Sequence, residues 1–350
     1  MINVLIIDDS ALVREYLKES LENDNEIGIV RAVSTPFSAI EILNKEEINV
    51  ICLDLKMPRM DGLTFLEKLM KQNPLPVVIF SGEIEEQSKD AIRALQLGAV
   101  DIIFKAKIGI KDYLKNEGEN ICNVIKSASK VNIKSINRVI KKAENISLIR
   151  KPDLKVPLQA TSKIIAIGAS TGGTAVLRYI FSKLPKATNG IVITQHMPEN
   201  FTNQFSSSLN SISKMYIKEV ENNDIINIGS ALIARGNWHL KVLQSGNLYK
   251  CVLSQDIHVN RHRPSVDVMF ESVAKAAGDR TLGILLTGMG KDGAKGLKSI
   301  KDTGGITIVQ EEKSCAVFGM PKAAIDINAT DHILSIDEII SSIIDFSKNL

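Results

Sequence analysis

Three side chains that serve in acyl transfer lie far apart in the second half of the chain. Ser170, His196 and Asp292 each follow a short apolar segment typical of a buried parallel strand. A serine hydroxyl is barely nucleophilic at neutral pH until a neutral imidazole removes its proton, and a carboxylate can orient that imidazole. Because the carboxyl ends of parallel strands share one edge of a sheet, this pattern predicts a Ser-His-Asp catalytic triad.

The elements that must position Ser170 form a strand-to-helix corner. Residues 164–167 are apolar, residues 168–173 turn the chain, and residues 175–184 have helical periodicity. The hydroxyl therefore lies beside a helix N-terminus, where unpaired N–H groups favour an anion. The spacing Gly168-x-Ser170-x-Gly172 also matches the nucleophile elbow, in which glycines permit a strained turn.

Other interpretations of this corner remain open. A phosphate-cradling or purely structural turn has a similar composition, and one glycine-rich motif is a weak indication. A dinucleotide-binding fold is disfavoured, because the G-x-G-x-x-G spacing is absent and no suitable acidic residue follows about 20 positions later. The chain order Ser, His, Asp also differs from the Ser, Asp, His order of α/β-hydrolases.

The first part of the chain alternates strand and helix patterns five times, which predicts a doubly wound parallel sheet. Polar side chains end or follow its predicted strands: Asp8 and Asp9, Asp54, Ser81 and Lys105. Strand ends in such a fold converge on one crevice. Because three crowded carboxylates repel one another, we expect this crevice to bind a hard cation, and Mg²⁺ fits best.

This first part resembles a response-regulator receiver domain through the residues just named and the motif M-P-x-M-D-G that follows Asp54. The resemblance implies that Asp54 accepts a phosphoryl group and that Asp8 and Asp9 help to hold Mg²⁺. It also implies that Ser81 hydrogen-bonds the phosphoryl group and that Lys105 pairs with it. A flavodoxin-like fold without phosphorylation would leave the acidic cluster unexplained.

Two residues depart from the receiver pattern. Receivers usually carry proline after the lysine, often with a cis bond, whereas Ala106 follows here. Because a non-proline cis peptide costs about 2.5–4 kcal/mol, a trans bond is expected. Ile102 replaces the usual switch aromatic. Its coupling to Ser81 is therefore altered, although an aliphatic side chain can still pack in two states.

The motifs G-A-S-T-G-G, T-Q-H-M-P and T-G-M-G-K-D-G resemble the catalytic domain of the CheB family of chemotaxis methylesterases. The resemblance implies Ser170 as nucleophile, His196 as general base, Asp292 as its orienting carboxylate and the backbone N–H of Met289 as an oxyanion donor. It implies demethylation of glutamate methyl esters, with release of methanol, and deamidation of glutamines. The implied partners are methyl-accepting chemotaxis receptors as substrate and a chemotaxis histidine kinase as phosphodonor.

We therefore expect two doubly wound parallel-sheet α/β domains. These are a (βα)5 receiver over residues 1–122 and a Rossmann-like methylesterase domain over residues 161–350, joined by a linker over residues 123–160. The linker pattern predicts an amphipathic helix over residues 133–143 and then a tether containing Pro152 and Pro157. The resemblance also implies that the receiver covers the esterase cleft until Asp54 is phosphorylated.

Residues 124–158 contain nine Lys or Arg and two Asp or Glu, a charge that would suit nucleic acid or anionic lipid. A solvated linker is favoured, and no helix-turn-helix or arginine-rich recognition helix follows it, so nucleic acid is not an expected partner. No apolar run approaches the roughly 18 residues of a membrane span. We therefore do not expect a membrane-inserted protein. The four cysteines lack C-x-x-C spacing, so we expect a cytoplasmic protein with reduced thiols.

A basic segment, residues 261–267 (R-H-R-P-S-V-D), has two interpretations. It shapes the substrate groove, with Arg263 meeting an acidic receptor helix, or it is a structural loop. His258 and His262 have the spacing of a helical metal site, but Pro264 favours a loop. The rival to an enzyme is a non-catalytic signalling module whose turn at Ser170 holds an anionic ligand.

Overall fold

The computed structural model describes residues 1–81, 85–104, 110–143 and 159–348. The chain divides into two compact units, Met1–Asn137 and Arg138–Leu350. Each unit contains a parallel sheet, so the predicted α/β class with two doubly wound sheets is confirmed. Lys105, Ala106 and the predicted tether lie outside the described residues.

The first unit follows the predicted alternation of strands and helices. Its elements are β1 (Ile2–Ile7), α1 (Ala11–Glu22), β2 (Ile27–Val33), α2 (Pro36–Leu43), β3 (Val50–Asp54), α3 (Gly62–Gln72), β4 (Val77–Ser81), α4 (Glu85–Leu97), β5 (Asp101–Phe104) and α5 (Ile110–Ser129). The next helix, α6 (Ile133–Ala143), contains the boundary between the two units. The amphipathic helix predicted over residues 133–143 is confirmed as α6, and α5 before it ends at Ser129, inside the segment predicted as linker.

The strand order of the first sheet is β2-β1-β3-β4-β5, and every pairing is parallel. The chain leaves β1 toward β2 and later returns to β3 on the other side of β1. Ligand sites in open α/β sheets form at such a switch point, outside the carboxyl ends of the strands. The residues that follow β1 and end β3 therefore lie where this fold binds ligands.

The second unit is built on seven parallel strands and one antiparallel hairpin. Its elements, apart from three short 3₁₀ turns, are β6 (Ile164–Ala169), α7 (Gly173–Lys183), β7 (Gly190–Gln195), α8 (Thr202–Asn210), β8 (Tyr216–Glu219), β9 (Ser230–Ile233), β10 (His239–Ser245), β11 (Leu248–Ser254), α9 (Val266–Ala277), β12 (Thr281–Leu285), α10 (Ala294–Asp302), β13 (Ile306–Gln310), α11 (Met320–Asp326), β14 (His332–Leu334) and α12 (Ile336–Ser347).

The large sheet has the order β14-β13-β12-β6-β7-β9-β8, while β10 and β11 form the hairpin. Its central strands β12, β6 and β7 are buried along their whole length, as expected for a parallel sheet covered on both faces. The chain leaves β6 toward β7 and returns to β12 on the opposite side. The switch point of this unit therefore lies at the carboxyl end of β6.

Two glycines make the tight turns at this edge. Gly172 precedes α7 with φ +79°, and Gly293 precedes α10 with φ +89°. A β-carbon on Gly172 would lie 2.3 Å from Cβ of Ala316, and one on Gly293 would lie 2.6 Å from Cδ1 of Leu285. Both conformation and packing thus require glycine.

Among the described helices, none combines the length and apolar character that crossing a bilayer requires.

Candidate functional site

The three predicted triad residues lie at the switch point of the second unit. Ser170 follows β6, His196 follows the neighbouring strand β7, and Asp292 lies in the loop after β12. The backbone N–H of His196 donates to the carbonyl of Ala169 at 3.0 Å. The N–H of Ser170 donates to the carbonyl of Thr287, in the loop after β12, also at 3.0 Å. Backbone hydrogen bonds thus join the three loops directly.

A side-chain amide ties the first two loops together. Nε2 of Gln195 donates to the carbonyls of Ser170 at 3.0 Å and His196 at 2.9 Å. Gln195 is the last residue of β7 and pairs with Ala169, the last residue of β6. The backbones that carry the hydroxyl and the imidazole therefore have a fixed separation.

His196 and Asp292 form a buried hydrogen-bonded pair. Nε2 of His196 lies 2.8 Å from Oδ2 of Asp292, and the two side chains are 8% and 2% exposed. The carboxylate accepts a proton held on Nε2, which leaves Nδ1 as the basic nitrogen of the neutral ring. Nδ1 is buried and has no hydrogen-bond partner within the described part of the chain. The nitrogen that can accept a proton thus belongs to His196, whose backbone is hydrogen-bonded to Ala169, the residue before Ser170.

The carboxylate of Asp292 accepts hydrogen bonds from several further donors. Oδ1 accepts from Oγ of Ser265 at 2.7 Å and Nδ2 of Asn260 at 2.8 Å, while Oδ2 also accepts from the N–H of Val266 at 2.7 Å. Burial alone would raise the pKa of Asp292, but the bonds from His196, Ser265 and Asn260 outweigh it and hold that pKa well below its usual range. Asp292 therefore stays ionised.

A second buried carboxylate lies next to this pair. Nδ2 of Asn260 also donates to Oδ2 of Asp267, at 2.7 Å, and the N–H of Gly296 donates to Oδ1 of Asp267, at 2.7 Å. Burial raises the pKa of Asp267, and the neighbouring charge of Asp292 raises it further. One asparagine amide thus bridges two carboxylates.

The ring of His262 stacks on the ring of His196. Their centroids are 3.7 Å apart and their planes differ by 13°. Burial lowers the pKa of His262 to about 3, and the positive charge that His196 can acquire lowers it further. His262 is therefore a neutral aromatic ring at physiological pH.

Residues 259–262 form a tight turn rather than a helix. Val259 and His262 exchange both backbone hydrogen bonds, at 3.1 and 2.9 Å, and the two residues between them have positive φ: Asn260 at 52° and Arg261 at 68°. Two successive positive φ values are typical of a type I′ turn. The preference for a loop over a helical His258–His262 metal site is thus confirmed.

Arg263 is hydrogen-bonded to loops of its own unit, and its contact with an acidic receptor helix stays a prediction. Its guanidinium donates to Oδ1 of Asn237, with Nη2 at 2.6 Å, and to the carbonyls of Gln255 and Asp256, both at 3.1 Å.

Met289, the predicted oxyanion donor, lies in the loop after β12, which approaches Ser170 closely. A β-carbon on Gly288 would lie 2.7 Å from Cβ of Ser170. The carbonyl of Gly288 accepts from the N–H groups of Gly319 and Met320 at 3.0 and 2.9 Å. Because that carbonyl and the N–H of Met289 belong to one planar peptide, the direction of the N–H is fixed as well.

The strained elbow suggested by the G-x-S-x-G spacing differs from the observed corner. Ser170 is not among the described non-glycine residues with positive φ, and the left-handed residue is Gly172. The N–H of Gly173 donates to the carbonyl of Ser170 at 2.8 Å. Glycine, instead of the serine, adopts the unusual backbone conformation at this corner.

In the first unit, the structure brings the predicted acidic residues together. Carboxylate oxygens of Asp8, Asp9 and Asp54 lie within 4.8 Å of one another, with Asp8 and Asp54 buried and Asp9 exposed. This all-oxygen donor set fits a hard divalent cation such as Mg²⁺. Ser81 is buried at the end of β4, next to β3. The position of Lys105 lies outside the described residues.

Sequence reasoning missed four residues that support the site: Gln195, Asn260, Ser265 and Asp267. Gln195 precedes His196 in the sequence, and Ser265 and Asp267 lie in the basic segment, residues 261–267. Closeness in sequence to candidate site residues could therefore have indicated these three. Asn260 gave a weaker signal, because Asn-Arg is not a typical pair for a two-residue turn.

Two family models match the chain: CheB methylesterase over residues 165–343 and response regulator receiver domain over residues 4–114. Protein-glutamate methylesterase/protein-glutamine glutaminase 3 of Shewanella oneidensis is 43% identical over 356 residues, covering 99% of this chain and 100% of that protein. The protein of that name from Geobacter metallireducens is 43% identical over 343 residues, covering 97% of each. The crystal structure of the Thermotoga maritima CheB methylesterase catalytic domain is 36% identical, with a TM-score of 0.51, and the match covers 52% of this chain and 97% of that one.

Replacing Asp292 with Asn should lower the free energy of unfolding by about 2–4 kcal/mol near neutral pH. Folding lowers the pKa of Asp292, so the ionised carboxylate stabilises the folded state at pH values above its unfolded pKa of about 3.9. This contribution to the free energy of unfolding is lost as the pH falls below that value. The difference between wild type and variant should therefore shrink below about pH 4. Urea unfolding at each pH, monitored by the fluorescence emission of Trp238, the single tryptophan, measures this stability difference.

Asp326→Asn, which alters an exposed carboxylate in α11, is the control and should show no such difference. A stability difference for Asp292→Asn that stays constant to pH 3 would contradict the assigned ionisation.

Proposed function

The chain belongs to the CheB methylesterase family, and on this premise we propose that Ser170, His196 and Asp292 are its catalytic triad. The chain is a phosphorylation-regulated hydrolase that demethylates glutamate methyl esters and deamidates glutamines on chemoreceptors. The observation that carries the assignment is the 2.8 Å pair between Nε2 of His196 and Asp292, which makes Nδ1 the nitrogen that we propose as the base for Ser170.

In the proposed reaction, Nδ1 of His196 takes the proton of the Ser170 hydroxyl as Oγ attacks the ester carbonyl. Asp292 holds the other ring proton and stabilises the imidazolium. The tetrahedral oxyanion collapses, the bond to the methoxy group breaks, and His196 returns the proton to give methanol. Water then attacks the acyl-enzyme by the same route and releases the glutamate. With a glutamine, ammonia leaves in place of methanol.

The backbone N–H of Met289 is the proposed oxyanion donor. The orientation of its peptide, fixed through the Gly288 carbonyl, supports this role, because preorganised donors need no rearrangement during the reaction. A mutation that removes such a donor costs about 10²–10³ in kcat. The backbone of this loop is therefore as important to the rate as the side chains.

For the first unit, we propose Asp54 as the phosphoacceptor and Asp8, Asp9 and Asp54 as the residues that hold Mg²⁺. The convergence of three carboxylates within 4.8 Å supports this. When bound, the cation would neutralise charge between the carboxylates and the incoming phosphoryl group. Ser81 lies one strand away and hydrogen-bonds the phosphoryl group, and Lys105 is proposed to pair with it.

The proposed organisation is a receiver over residues 1–122, a linker over residues 123–160 and a catalytic domain over residues 161–350. A chemotaxis histidine kinase supplies the phosphoryl group, and methyl-accepting receptors supply the ester, in the cytoplasm. Phosphorylation adds about −1.5 to −2 charge at Asp54, which favours one domain arrangement through differential contacts. The unphosphorylated receiver restrains the esterase.

Ser170→Ala should lower methanol release from methylated receptor membranes by about 10⁴–10⁶-fold, since no other group supplies the nucleophile. Wild type and Ser341→Ala, an exposed serine of α12, are the matched comparison and should release methanol equally. If the protein were instead a non-catalytic signalling module, neither wild type nor variant would release methanol.

Asp54→Asn should abolish stimulation of the esterase by an acyl phosphate donor while leaving its basal rate intact, because the amide cannot accept a phosphoryl group. Chelation of Mg²⁺ should have the same effect on wild type. Glu41→Gln, an exposed carboxylate of α2, is the control. Stimulation that persists in Asp54→Asn would discard this residue as phosphoacceptor.

Deletion of residues 1–150 should raise the basal methanol release rate above that of the unphosphorylated full chain, because it removes the restraining domain. The emission of Trp238 during urea unfolding verifies that the fragment is folded. A folded fragment that is no faster than the full chain would show that the receiver does not inhibit this enzyme.

A further inference from the structure

The turn at residues 259–262 contacts two members of the proposed triad at once. Its first inner residue, Asn260, places Nδ2 2.8 Å from Oδ1 of Asp292. Its last residue, His262, stacks its ring 3.7 Å from that of His196. The turn therefore contacts the acid through a hydrogen bond and the base through an aromatic face.

We infer that the Asn260–Arg261 turn is the positioning element of the catalytic base and acid, an inference that rests on the proposed triad. Stacking by His262 fixes the ring plane of His196, while the amide of Asn260 holds the carboxylate that receives the Nε2 proton. Asn260 and His262 act through the triad and need not touch the substrate.

The need for such an element follows from the contacts of His196. Within the described residues its ring has one hydrogen bond, at Nε2, and a tilt of the ring about that bond would turn Nδ1 away from the direction that the proposed proton transfer needs. A second ring lying parallel over its face restricts this rotation and keeps water from that face. Misplacing reacting groups by about 1 Å is enough to cost about 10²-fold in rate.

An imidazole suits the stacking position because its environment keeps it uncharged. Burial lowers the pKa of His262 to about 3, so the ring does not repel His196 when that residue becomes an imidazolium. The neutral aromatic face is attractive to a cation. Phenylalanine would share this property, whereas alanine would remove the face.

The turn itself connects the two contacts. Asn260 and Arg261 both have positive φ, a conformation open to glycine and closed to proline, whose φ is about −65°. Proline at 261 would therefore disrupt both contacts and leave the Asn260 and His262 side chains in the sequence. Arg261→Gly also removes the guanidinium, as Arg261→Pro does, but it keeps the turn.

The test uses a fluorophosphonate, in which Oγ of Ser170 displaces fluoride from phosphorus and His196 takes the hydroxyl proton. This small probe needs an activated serine but no receptor groove. In the full-length protein, His262→Ala and Asn260→Gly should each slow labelling by about 10- to 100-fold. His262→Phe should recover most of the loss, and Arg261→Pro should react at least about 10-fold more slowly than Arg261→Gly.

Asn328→Gly, which changes another asparagine with positive φ, at the end of α11, should label at the wild-type rate. Trp238 emission verifies that each variant is folded. If His262→Ala unfolds, the inference is tested by the labelling rates of His262→Phe and of the two Arg261 variants. Labelling of His262→Ala at the wild-type rate, or of the Phe variant as slowly as the Ala variant, would overturn the inference. Failure of wild type itself to be labelled at Ser170 would instead refute the proposed triad.

Discussion

A fully buried carboxylate needs hydrogen-bond donors around it, and this requirement at Asp292 organises the second unit. Moving an isolated charge out of water is expensive, so each of its oxygens must find partners. The donors come from separate parts of the chain: the ring of His196, the side chains of Asn260 and Ser265, and the backbone at residues 266 and 267. Satisfying one carboxylate therefore brings the loops after β7 and β12 together with the segment that enters α9.

The first unit meets the same problem of buried charge in a different way. Asp8, Asp9 and Asp54 gather like charges at the switch point of their sheet. A carboxylate surrounded by donors is stable as an anion and can hold an imidazole, whereas carboxylates that face one another suit a cation, the role proposed for Asp8, Asp9 and Asp54. The two sites use one type of side chain at equivalent edges of two parallel sheets for opposite electrostatic purposes.

Much of this arrangement could be predicted because it depends on strand ends. The alternation of apolar runs and helical patterns predicts the parallel sheets, and residues that end or follow those runs are predicted to lie at one edge of their own sheet, as Asp54 does in the first unit and Ser170 in the second. The Asn260 turn could not be predicted, since arginine at a left-handed position is unusual and the turn follows from tertiary contacts with Asp292. The stacking of His262 depends on that same turn.

The orientation of His196 follows from the order of the strands. Ser170 follows β6, which is adjacent to β7, whereas Asp292 follows β12, two strands away from β7. Neighbouring strands are about 4.8 Å apart, so the imidazole must reach roughly twice as far to the carboxylate as to the serine loop. Nε2, the ring nitrogen farther from the backbone, meets Asp292, and the nearer Nδ1 is the nitrogen proposed to act on Ser170. In serine proteases such as chymotrypsin the carboxylate binds Nδ1 and Nε2 is the base. The reversed use of the two nitrogens in the proposed triad is therefore a consequence of a β12-β6-β7 sheet, in which the strand before Ser170 lies between the strands before Asp292 and His196.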